Sequence, residues 1–94
     1  MSEVLLRSKE DILPLIRSAF DIESRSIEIG ITRTEKRLRG VETKYGMKSE
    51  EFYQKVENGE LKDSLDFIEW AGEIETLKRL KDDLVRLREI EICT

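Results

Sequence analysis

From Ile12 to Tyr45 the side chains that avoid water recur at the spacing of one helix face. Ile12, Ile16, Ala19 and Phe20 open the row, and Ile27, Ile31, Thr34, Leu38, Val41 and Tyr45 continue it at intervals of four, three, four, three and four. This spacing predicts a helix over residues 12–45, about 50 Å long at 1.5 Å per residue, that buries a single seam. Asp11 is placed to cap it, which puts Pro14 in the first turn, where a missing N–H costs nothing. A second row, Phe67, Trp70, Ala71, Ile74, Leu77, Leu80, Leu84 and Leu87, predicts a last helix over residues 64–89, capped by Asp63 or Ser64. Asp21 with Arg25, Glu35 with Arg39, Glu75 with Arg79 and Asp82 with Arg86 form i,i+4 pairs on the outer faces.

Two features pull against the first helix. Gly30 and Gly40 each cost about 1 kcal/mol relative to Ala in a helix interior. Ile27, Ile29 and Ile31 alternate as they would in a strand. No turn chemistry brackets the isoleucines, and the seam runs on past them, so helix is the expectation, with Gly30 the place for a kink.

Between the two rows lies the corner, Val41 to Gly72. Gly46 supplies the left-handed residue a helix exit needs. Ser49 is expected as an N-cap, followed by Glu50 and Glu51 in a first turn that favours acids. The short helix, 49–58, carries Phe52, Tyr53 and Val56 and stops at Asn58-Gly59. The expected fold is therefore all-α: a long antiparallel helical hairpin with a short corner helix. Ile22 and Ile29 lie off the first row, and Leu80, Val85 and Ile90 widen the second. At about 25 cal/mol per Å² of apolar area, leaving that flank wet forfeits several kcal/mol. Two hairpins packed face to face as a four-helix bundle would cover it, which predicts a homodimer. In the rival arrangement, a monomer, the N-terminal segment and the short helix cover the flank instead.

Composition narrows the function classes. Charged residues make up 40% of the 94, yet there is no His, one Asn and one Gln, a profile that resembles a thermophile's protein. No signal peptide or membrane-spanning apolar run is present, so a cytoplasmic location is expected. Cys93 is the one cysteine, excludes an internal disulfide, and reads as incidental. Residues 1–46 carry nine Lys/Arg against eight Asp/Glu, and residues 47–94 eight against thirteen. That acidic balance opposes nonspecific nucleic-acid binding, which draws its affinity from neutralised phosphates. The basic cluster Arg33, Lys36, Arg37, Arg39 and Lys44 reads first as a solvated face interleaved with Glu35 and Glu42, and second as a contact for a phosphate-rich partner.

Catalytic signatures are missing. Without His there is no Ser-His-Asp or Cys-His arrangement, and neither a phosphate-binding GxxxxGK[ST] loop nor a GxGxxG turn occurs. No enzyme activity and no cofactor are expected. The alternative is a Mg²⁺-dependent all-helical nucleotide hydrolase. Asp63, Asp66, Glu69 and Glu73, spaced three, three and four, would line one helix face and hold the metal. The same spacing marks an ordinary solvated acidic face. Among the aromatics, Phe67 and Trp70 read first as core. As a partner-binding patch, the sharper reading groups Tyr45, Tyr53, Phe67 and Trp70 at the corner.

The run KYGMKSEEFYQKVENGELKDSLDFIEWAG resembles a group of small helical proteins of bacteria and archaea. Their pattern joins KYGM, an EEFY-like segment, NGE or SGE, and an acidic-aromatic segment ending in Trp plus a small residue. The residues that carry the likeness are Lys44, Tyr45, Gly46, Met47, Phe52, Tyr53, Gly59, Glu60, Asp66, Phe67, Glu69 and Trp70, within a resemblance that spans about half the chain, Glu42 to Ile92. Such proteins look like the antitoxin-like halves of two-gene modules. The resemblance implies a noncatalytic helical protein that binds the product of a neighbouring gene.

Overall fold

The computed structural model describes the backbone of residues 2–93 and the side chains of residues 12–90. Three helices account for the chain: α1 (Ser2–Tyr45), α2 (Ser49–Glu57) and α3 (Leu65–Cys93). No strand occurs among the described residues, and Ile27 to Ile31 are helical. α1 and α3 form an antiparallel hairpin. Arg37 reaches Glu73 at 3.2 Å, Lys44 reaches Asp66 at 2.8 Å, Lys81 reaches Glu35 at 3.8 Å and Arg88 reaches Glu28 at 2.8 Å. These pairs lie in solvent, so they align the two helices more than they stabilise them.

The expected seam is buried or half-buried from Ile27 to Val41, while its last member, Tyr45, is exposed. Ile27, Thr34 and Leu38 from α1 and Trp70 and Leu84 from α3 are all interior. Gly30 lies where the two helices come close: a Cβ there would meet Leu80 Cδ1 at 3.2 Å. The residue that argued against a helix is therefore one that lets α3 approach α1. Nothing in the structure explains Gly40, where an added Cβ would meet no atom within 4 Å.

The turns follow backbone chemistry. Gly46 has φ +62°, and the Met47 N–H bonds the Glu42 carbonyl at 3.1 Å, closing α1 with a Schellman motif. Gly59, at φ +69°, repeats it for α2, with Glu60 N–H on the Lys55 carbonyl and Gly59 N–H on the Val56 carbonyl. Ser64 caps α3, its Oγ accepting the Phe67 N–H at 3.1 Å.

Three expectations need correction. α1 does not start after Asp11: it is helical from Ser2, with Pro14 inside it. Proline removes one rung of the ladder, but Pro14 is exposed and its neighbours are strong helix formers, so the helix continues through it. Ser49 is not the N-cap of α2. It is the first helical residue, preceded by Lys48 in extended conformation with no side-chain cap bond. Ile12 and Ala19, placed in the buried row, are exposed.

The helices differ in length. α1, at 44 residues, is 15 residues longer than α3, at 29. The N-terminal part of α1, up to about Ile22, forms an arm on which Leu13, Ile16 and Phe20 are half-buried and Ile12, Leu15, Ala19 and Ile22 are exposed.

Candidate interaction surface

At the corner, α2 is locked between the long helices by rings and by one polar chain. Phe52 and Trp70 stack with centroids 3.9 Å apart and planes 4° from parallel, and both are essentially fully buried, at 0% and 1% exposure. Tyr45 stacks on the other side of Trp70 at 5.8 Å, and Phe67 tilts against Tyr45 and Phe52. Leu38 completes the buried cluster, with Val41, Met47, Leu61, Ala71, Ile74 and Leu77 packed round it.

The polar chain runs through Ser49. Trp70 Nε1–H donates to Ser49 Oγ at 3.0 Å, and the Ser49 N–H donates to Glu42 Oε2 at 2.7 Å. The cap of α2 is thus a carboxylate from the last turn of α1, reaching across the Gly46 turn to free N–H groups. Partial burial alone would raise the Glu42 carboxyl. The Ser49 bonds, with Lys48 and Arg39 nearby, outweigh it and hold the group below the ordinary carboxylate range. Asp66, in the first turn of α3, accepts from Lys44 and from the Tyr45 hydroxyl. Both bonds lower the Asp66 carboxyl and raise the Tyr45 phenol and the Lys44 ammonium. The Tyr53 hydroxyl donates to Glu75, which likewise raises its phenol.

The candidate residues read from sequence fall into place as follows. Of Tyr45, Tyr53, Phe67 and Trp70, only Tyr45 is classed as exposed, and Trp70 lies in the interior. The aromatic corner is a core that the chain covers itself. Of Asp63, Asp66, Glu69 and Glu73, Asp66 is engaged by Lys44 and Tyr45 and Glu73 by Arg37. Among the described residues no group of three or more Asp, Glu, His or Cys is placed to hold a metal ion. Arg33, Lys36, Arg37 and Arg39 are all exposed, with Arg37 drawn onto Glu73. A cleft of about 580 Å³ beside α2 has an apolar floor of Leu38, Ile74 and Leu77. Its walls mix four acids (Glu35, Glu42, Glu50 and Glu75) with three bases (Arg39, Lys78 and Lys81), so the charges largely cancel and give no strong field for a charged substrate.

No family model, curated protein or solved structure matches this chain. No helix among the described residues is long and apolar enough to cross a membrane. What the molecule does present is a bare apolar stripe on α1. Ile12 is 44% exposed, Leu15 68%, Ile22 68% and Ile29 53%, and Ala19 and Ser26 lie exposed between them. Positions 12, 15, 19, 22, 26 and 29 alternate three and four apart, the seam of a coiled coil. The next two positions in the series are Arg33 and Lys36, both exposed, and the apolar stripe stops there. A shallow depression beside Ile29 is lined by Arg25, Glu28, Thr32 and Arg33.

Sequence reasoning picked out Ile22 and Ile29 as surplus but assigned Ile12 and Ala19 to the buried row and passed over Leu15. The signal was available. Tracing the interior back from Leu38 through Thr34 and Ile27 leads to Ile16 and Phe20, leaving a separate row about a third of a turn away. Leu65 and Ile68 are also exposed, but at the start of α3, at the opposite end of the hairpin.

Proposed function

We propose that this protein is a noncatalytic protein–protein interaction module that holds a helical partner against the apolar stripe of its α1 arm. The carrying observation is that stripe, regular over about 25 Å and left exposed among the described residues. At about 1.5–3 kcal/mol per fully buried aliphatic side chain, covering four that are about half to two-thirds exposed offers roughly 3–7 kcal/mol from this chain's side alone. That is on the scale of the cost of association, so a partner contributing a similar stripe binds stably.

The antitoxin-like role implied by the central KYGM to EWAG run fits the same reading. The residues of that run build the corner: Gly46 and Gly59 turn the chain, and Phe52, Phe67 and Trp70 fill the core. They fix the hairpin and leave the arm for recognition. The partner is then the product of the neighbouring gene, a second copy of this chain, or both in turn.

Co-expression with the neighbouring gene product, followed by capture through a C-terminal tag, tests the proposal. The expected result is a complex that Leu15→Glu with Ile22→Glu abolishes and Ile68→Glu, outside the stripe, leaves intact. No complex with either partner under any condition, or binding indifferent to the stripe, overturns it.

A further inference from the structure

The stripe is self-complementary when reversed. Its spacings, three, four, three, four, three, read the same in both directions, so a second α1 laid antiparallel brings every stripe position opposite another. In that alignment Ile12 faces Ile29 of the other copy, Leu15 faces Ser26, and Ala19 faces Ile22. The two inner layers each set a large side chain against a small one, which keeps the layers at even thickness and fills space without voids. A parallel pairing would stack Leu15 on Leu15 and Ser26 on Ser26, alternating bulges with gaps.

The ends agree with this. Ile12 arrives beside the depression formed by Arg25, Glu28, Ile29, Thr32 and Arg33, and the stripe closes on charged Arg33 and Lys36. The exposed apolar side chains amount to roughly 500 Å² per copy, about 1,000 Å² in all, which meets the lower bound for a specific interface.

We infer that the stripe's occupant is a second copy of this chain, its α1 antiparallel about a twofold axis between Phe20 and Asp21. The inference rests on the interaction-module reading and names its partner. The two hairpins then form a four-helix assembly with an α1 pair at its centre and α3 of each copy outside.

Sedimentation of the full chain and distances between spin labels test it. The wild-type chain is expected to sediment as a dimer. Leu15→Glu with Ile22→Glu raises the dissociation constant at least about 100-fold while far-UV circular dichroism keeps its helical signal. On a Cys93→Ala background, labels at Ser18→Cys lie axially within about 8 Å of each other and labels at Lys36→Cys about 45 Å apart. A chain that stays monomeric at every concentration overturns the inference, as does a dimer whose Lys36 labels are as close as its Ser18 labels. Neither result touches capture of the neighbouring gene product through the same stripe, so the two readings fail separately.

Discussion

The corner depends on a single indole, and this gives the sharpest test of the fold. Trp70 is 1% exposed, stacks face to face on Phe52, and donates its Nε1–H to Ser49 Oγ. Trp70→Phe keeps a ring against Phe52 but removes the donor and the five-membered ring's volume. Losing the bond and stranding a buried hydroxyl costs about 1–3 kcal/mol, and the small cavity adds to that. Ser49→Ala leaves the indole N–H unpaired and falls in the same range of about 1–3 kcal/mol. In the double variant neither group is stranded. The expected coupling is therefore about 1 kcal/mol, with the double variant less destabilised than the sum of the two singles. A 94-residue chain has a total stability of about 5–14 kcal/mol, so each single change is readily measured. Urea unfolding followed by far-UV circular dichroism serves all four proteins, since the only tryptophan is lost in two of them. The association state must match across the set, because a dimer's stability depends on concentration. Additivity within about 0.3 kcal/mol would mean that indole and serine do not interact, and the polar chain from Glu42 to Trp70 would fail with them.

Three further outcomes follow from the same geometry. Glu42→Gln weakens the cap on α2 and destabilises the chain by about 1 kcal/mol at neutral pH. Because the folded Glu42 carboxyl lies below its unfolded value, that difference is fully present above the ordinary carboxylate range. It disappears as pH falls through the lowered folded value, so wild type and variant converge in acid; urea midpoints at pH 7 and pH 3 check it. Asp66→Ala removes the acceptor that raises the Tyr45 phenol, so spectrophotometric titration should show one tyrosine moving down toward the ordinary value while Tyr53, held by Glu75, stays raised. Gly40→Ala, with open space around it, should stabilise by about 1 kcal/mol, whereas Gly30→Ala gains less because its methyl presses on Leu80 at 3.2 Å; thermal unfolding of the pair distinguishes them.

How much of this was legible follows from the range of each interaction. Gly46, Asn58-Gly59 and Ser64 act within a few residues of themselves, and the turns and last cap they predict are present. The buried seam from Ile27 to Val41 is periodic, and periodicity survives into the fold. Ser49 misled because its hydroxyl has two suitors. The local rule awards it to its own helix, but Trp70 takes it from 21 residues away, and Glu42 supplies the cap instead. Pro14 misled because a preference for the first turn is weaker than the helical tendency of the residues before it. The stripe was half seen, since Ile12 and Ala19 fit two adjacent rows and only the position of α3 decides which row is interior.

The distribution of stability along the hairpin bears on function. At the corner three helices converge, the rings are buried, and hydrogen bonds join every pair of helices. Toward the other end α1 carries aliphatic side chains in solvent. A helix of this kind gains little from its own propensity and most from packing. The proposed function gives its exposed apolar spacing through Leu15 and Ile22 a use against another surface. An arm meant merely to be solvated would carry at those positions the charges that occupy Arg33 and Lys36, where the stripe ends. Under the proposed function the corner fixes the hairpin and the α1 stripe carries the contacts. Changes at Trp70 should thus act on folding, and changes at Leu15 and Ile22 on assembly.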